Sequence, residues 1–173
     1  MKTIVALFMF GFLAEAQYGG PPKMSRGCKD IYNRGVDNLN YKQFFTGQWF
    51  LTHGERVSSK CDTVSVNGDK ITFKLRGAQI NCQLENVPDA KFTKFNCKKS
   101  VSKTFSTEIS VLATDNNNYA LVYRCGVLED DNYKDNTVVM QRQKQAPFPP
   151  ALESEVGKFG HGLKKDSFKV LNC

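Results

Sequence analysis

Tryptophan, histidine, long apolar stretches and closely spaced cysteines are all scarce in this chain of 173 residues, and each scarcity excludes something. The one unbroken apolar run, Ile4 to Leu13, is too short to cross a bilayer, which takes about 20 such residues. With Met1-Lys2-Thr3 before it and Ala14-Glu15-Ala16 behind it, residues 1–16 read as a secretory signal peptide. No CxxC occurs, and His53 and His161 fall at no ligand spacing, so a zinc site is not expected. No Ser-His-Asp set, carboxylate pair or glycine-rich phosphate loop is visible, and two unrelated histidines offer little general-base chemistry. An enzyme is therefore not expected. A second hydrophobic stretch and a low-complexity linker are also missing, which leaves one domain able to bury its own core. Without an Asn-Xaa-Ser/Thr sequon, N-glycosylation is not expected either.

What the chain does have is six cysteines, all after the signal: Cys28, Cys61, Cys82, Cys97, Cys125 and Cys173. An even number in an oxidising compartment implies three disulfides and leaves no thiol nucleophile. The formal net charge is +7, and Lys2 and Glu15 cancel, so removal of the signal leaves it unchanged. A basic surface favours anionic partners. Its lysines cluster at Lys91, Lys94, Lys98, Lys99 and Lys103 and again at Lys158, Lys164, Lys165 and Lys169, without the aromatic-interleaved module that nucleic-acid binding would need.

Residues 17–27, with Gly19-Gly20-Pro21-Pro22, suggest a flexible mature N-terminus fixed only at Cys28, where the main domain, 28–173, begins. Strands are then expected at 48–53 and 61–66. Asn67-Gly68-Asp69 is a hairpin turn by composition, since Asn and Gly accept positive φ. Next comes the clearest half-buried strand, with Ile71, Phe73 and Leu75 alternating against Thr72, Lys74 and Arg76. Further strands are expected at 79–86, 91–98, 105–113, 119–125 and 137–143. If Pro88-Asp89-Ala90 is a hairpin tip, Cys82 and Cys97 lie at nearly matching distances from it and could pair. Prolines at 147, 149 and 150 stop the sheet, and 151–159 has helical spacing at Leu152, Val156 and Phe159. Eight short strands with mostly short turns and one late helix suggest an all-β, up-and-down antiparallel barrel, wide enough for one small ligand.

Gly47-Gln48-Trp49 heads the first strand, Thr114-Asp115 precedes Asn118-Tyr119 in a later turn, and Arg142 ends the last strand. These three segments resemble the lipocalin signature, and alternating strand directions bring them together at one closed end. The signal peptide, the onset at Cys28, the Asp/Asn-rich turn and the terminal Cys173 resemble, more narrowly, the triabin and nitrophorin group of salivary lipocalins from blood-feeding insects. That resemblance implies bridges Cys28–Cys125, Cys61–Cys173 and Cys82–Cys97, among which spacing alone does not choose. It also implies secretion, and a role in sequestering small host mediators of haemostasis, with inhibition of platelet aggregation or vasoconstriction as the outcome. Nitrophorin haem is ligated by a strand histidine; residues 70–86 contain none, so haem is not expected and no cofactor is assigned.

The opposite end, by the same count, is a mouth made by 54–60, 77–78, 99–104 and 126–136. Glu55 apart, the charges of the first and third are cations, Arg56, Lys60, Lys99 and Lys103, with Arg76 and Lys98 beside the second and third, while Glu129, Asp130, Asp131 and Asp135 make the fourth acidic. His53 shares the parity of Trp49 and is expected to point inward, as are Tyr119 and Tyr123. The candidate ligand contacts are His53, Arg56, Phe73, Arg76, Phe105, Tyr119 and Tyr123. The basic rim suits an anionic mediator such as ADP or an eicosanoid, and the acidic loop a biogenic amine. A monomer is expected. A different class of function is docking of the basic outer surface on anionic phospholipid or a coagulation protein.

Overall fold

The computed structural model describes residues 20, 22–56, 62–67, 70–75, 78–100, 103–127 and 133–171. The expected signal peptide, Gly68-Asp69 of the first hairpin turn, Cys61, Arg76 and Cys173 lie outside the described residues. Eight strands, β1 (Gly47–Gly54), β2 (Thr63–Asn67), β3 (Lys70–Leu75), β4 (Ala78–Glu85), β5 (Thr93–Ser100), β6 (Lys103–Thr114), β7 (Tyr119–Val127) and β8 (Tyr133–Gln141), pair in sequence order, each antiparallel to the next. β1 pairs with both β8 and β2, which closes the sheet. Closure removes the unpaired edge that an open sheet of this length would present to other chains.

Side-chain alternation divides the molecule into two apolar layers. Trp49, Leu51, Val64, Val66, Ile71, Phe73, Ile80, Phe95, Ile109, Val111, Val122, Val138 and Met140 fill the inner layer. The other faces of β6, β7 and β8 contribute Leu112, Leu121, Tyr123 and Val139 to an outer layer. Met24, Ile31, Phe148, Leu152, Val156 and Phe159 cover that layer from the two ends of the chain. The helical segment expected at 151–159 is realised as a short helix, Pro150–Glu153, followed by a 3-10 turn, Val156–Phe159. Glycine at 157 and the wrap around the barrel favour the tighter turn over a continuous helix.

Three features differ from expectation. β8 starts at Tyr133, so the loop read as 126–136 is largely strand. A two-residue strand β9 (Lys169–Val170) pairs with His53 and Gly54 of β1, on the side that β2 has left. Anchoring of the N-terminal segment begins ahead of Cys28, because Met24 is buried and the buried carboxylate of Glu108 accepts from Ser25 N at 2.6 Å and Ser25 Oγ at 2.9 Å.

Two of the three bridges are present among the described residues: Cys28–Cys125, which ties the N-terminal strap to the outer face of β7, and Cys82–Cys97, which joins directly opposed residues of β4 and β5.

Candidate functional site

The three signature segments meet at the closed end. Trp49 is fully buried, its Nε1 donates to Phe44 O at 3.2 Å, and its ring stacks on Phe44 with centroids 4.9 Å apart. The Arg142 guanidinium lies over the indole at 3.8 Å and donates to the carbonyls of Gln48, Phe44 and Asn117. Burial lowers the pKa of Arg142, yet a guanidinium stays charged far above neutral pH. Gly47 has φ +81°, a conformation that costs glycine nothing and lets the chain turn under Arg142. Asp115 organises the adjoining turn. Burial alone would raise its carboxyl, but hydrogen bonds from the backbone of Asn117, Asn118 and Tyr119 and the Asn118 side chain outweigh it and hold it below the usual range. Thr114 Oγ1 donates to Tyr119 O at 2.6 Å across the same turn. This end is a sealed floor.

Above the floor, the inner wall of β6, β7 and β8 is laid out in rows set by the register. Above the Ala120–Met140 pair, the row Val111–Val122–Val138 is apolar. The next is Ile109–Arg124–Asn136 and the third Thr107–Gly126–Lys134. Asn136 is buried, and its amide clamps the backbone of Arg56, accepting from Arg56 N at 3.0 Å and donating to Arg56 O at 2.9 Å. Phe73, Ile80 and the Cys82–Cys97 bridge lie on the facing wall, with Phe105 packed against the same cluster.

Of the seven expected ligand contacts, Phe73 and Phe105 share this interior and Arg76 is outside the described residues. Arg56 stands at the rim but is paired: Asp135 takes Arg56 Nη2 at 3.2 Å and Lys29 Nζ at 3.4 Å. The other three require correction. Tyr123 faces outward and is fully buried in the outer layer, where its hydroxyl accepts from Lys29 N at 2.6 Å and donates to Asp135 at 3.4 Å. Burial pushes its phenol well above the ordinary range. Tyr119 begins β7 at the closed end and packs against the same outer layer. His53 also faces outward, because a register shift between Leu51 and His53 sends Thr52 and His53 to one side. Its ring meets Phe148 edge-on at 5.4 Å, and Nδ1 lies 3.0 Å from Thr52 Oγ1.

The position of His53 has a consequence for stability. Burial lowers its pKa, so the folded chain resists a proton that the unfolded chain accepts. Its contribution is intact above about pH 6.5 and is lost as pH falls through that value toward the folded pKa. Between pH 7.5 and 5.0 the melting temperature of the native protein should drop further than that of His53→Gln, measured by circular dichroism. Parallel drops would assign the acid sensitivity elsewhere.

A family model described as Triabin matches residues 16–155. Among curated relatives, Triabin of Meccus pallidipennis is 24% identical over 164 residues, covering 88% of this chain and 99% of that protein. Triafestin-1 of Triatoma infestans is 28% identical over 170 residues, covering 83% of this chain and 79% of that protein. Among solved structures, the crystal structure of LTBP1 in complex with LTC4 has 25% sequence identity and a TM-score of 0.75, covering 87% of this chain and 97% of that one. Closed barrel, indole floor, crossing strap and family match agree: the chain belongs to the triabin family and is a secreted lipocalin of the small-molecule-binding kind.

Proposed function

We propose that this chain sequesters a leukotriene-class eicosanoid, one molecule per barrel, removing a small anionic mediator from the host at the feeding site. The observation that carries the reading is the likeness over most of both chains to a protein whose structure holds leukotriene C4. The interior agrees with it chemically. Phe73, Ile80, Phe105, Ile109 and Val138 offer an apolar lining for a hydrocarbon chain, and the inner face of β7 and β8 carries Arg124 and Lys134 for a carboxylate.

Docking of the outer surface on anionic phospholipid has less behind it. Lys91 pairs with Asp37, Lys94 with Glu85, Lys158 with Glu155 and Lys165 with Glu153, so both lysine clusters are partly neutralised where they stand. ADP and a biogenic amine remain the competing guests. Titration calorimetry in one buffer against leukotriene C4, ADP, serotonin and noradrenaline should give saturable one-to-one binding of the leukotriene, with the negative heat-capacity change of apolar burial. Tighter binding of ADP or of an amine would replace the reading.

A further inference from the structure

The inner wall toward the mouth carries a cation set among small and apolar residues. β7 alternates strictly: Leu121, Tyr123 and Cys125 belong to the outer layer, Ala120 and Val122 to the inner one, so Arg124 projects to the interior. It is half-buried, held by interactions within the protein, and flanked in register by Ile109 and Asn136. Beneath it is the valine row. Beyond it toward the rim stands Gly126, where an added Cβ would have only Lys134 O, at 3.7 Å, within reach. On β1, Gly54 also faces inward, but an added Cβ there would meet Arg56 O and Val138 Cγ1 at 3.4 Å and the Asn136 amide at 3.5 Å, so that space is already lined by protein. Gly126 thus leaves room on the wall beside a cation that stands above an apolar row. Lys134, diagonal to Arg124, continues the positive charge outward.

We propose that Arg124 is the residue that sets the specificity of the barrel for carboxylates, receiving the acid group of a lipid whose chain lies against the Phe73 and Phe105 side, and that Gly126 keeps the wall open for that group. This rests on the lipid-binding reading above and adds the residue that distinguishes an acid from a neutral lipid of the same shape. A guanidinium suits the role because its planar fork matches a carboxylate and cannot lose its charge.

The test uses cis-parinaric acid and its methyl ester, followed by the probe's own fluorescence, with leukotriene C4 in a parallel titration. The native protein should prefer acid to ester. Arg124→Gln should weaken acid binding by at least about tenfold and leave the ester unchanged, and Arg124→Lys should restore part of the loss. Gly126→Leu, which fills the wall without touching a charge, should weaken both probes and covers the case in which Arg124→Gln fails to fold; near-ultraviolet dichroism checks each variant. Equal losses for acid and ester in Arg124→Gln, unchanged acid binding in it, or unchanged binding in Gly126→Leu would overturn the assignment. If leukotriene C4 does not bind while the acid-over-ester split holds, the proposed mediator falls and the role of Arg124 stands. Leukotriene binding that survives Arg124→Gln has the reverse meaning.

Discussion

Replacing Trp49 with alanine is expected to be among the most destabilising single changes in the molecule, costing about 3–5 kcal/mol as truncation of a large buried aromatic does. For a chain of this size that is a fall in melting temperature of roughly 6–20 °C. The argument does not rest on apolar area alone. The indole is stacked on Phe44, capped by the Arg142 guanidinium at 3.8 Å and bonded through Nε1 to Phe44 O, so alanine leaves a void beneath a half-buried cation that has lost its aromatic face. Arg142 keeps its three carbonyl partners in that variant, which separates the two contributions. Trp49→Phe restores a ring for Phe44 and Arg142 and should recover part of the loss. Because Trp49 is the sole tryptophan, unfolding has to be followed by far-ultraviolet dichroism. A midpoint within about 1 °C of the native one would show that the floor does not depend on the indole.

How far the fold was legible in the sequence follows from the same end of the barrel. Period-2 patterning in 71–76 and 105–113, the prolines after Gln145 and the direction count were enough to bring Gly47, Trp49, Asp115 and Arg142 to one place, because strand number and alternation are local properties of the chain. Register irregularities are not. The shift between Leu51 and His53 inverts parity for the last residues of β1, and nothing in Leu51-Thr52-His53 announces it, since a bulge is set by how β1 and β8 close on each other. His53 therefore went to the wrong face on sound alternation.

The outward faces of Tyr119 and Tyr123 follow from a cysteine on the same strand. A bridge from Cys28, in a segment that wraps the barrel, requires Cys125 to face outward; Tyr123 must then face outward and Arg124 inward. The same parity places an arginine on the inner face in the middle of an apolar strand. Asn136 was missed for a different reason: its amide grips the backbone of Arg56, a residue 80 positions away, and only the closed barrel places the two together.

The second large effect concerns that same bridge. Removing Cys28–Cys125 as Cys28→Ala with Cys125→Ala should cost more stability than removing Cys82–Cys97 in the same manner. The two bridges span sequence separations of 97 and 15 residues. Chain-entropy reasoning assigns about 4.7 kcal/mol to a loop near the first length and about 3 kcal/mol to one near the second. Local structure widens the gap. Cys82 and Cys97 stay opposed through the β4–β5 ladder without a bridge, whereas the strap carrying Cys28 is held to the barrel by side-chain contacts, chiefly Ser25 with Glu108, Lys29 with Tyr123 and Asp135, and buried Met24 and Ile31. Guanidinium unfolding of both double variants, without reductant, decides it, and a larger loss for the β4–β5 pair would contradict the ordering. Cys125 follows Arg124 directly, so the bridge also holds the segment of β7 from which that cation projects. The Cys28–Cys125 variant should therefore bind an acidic lipid less tightly even below its unfolding transition, while the Cys82–Cys97 variant tests whether that loss is more than a general loosening of the sheet.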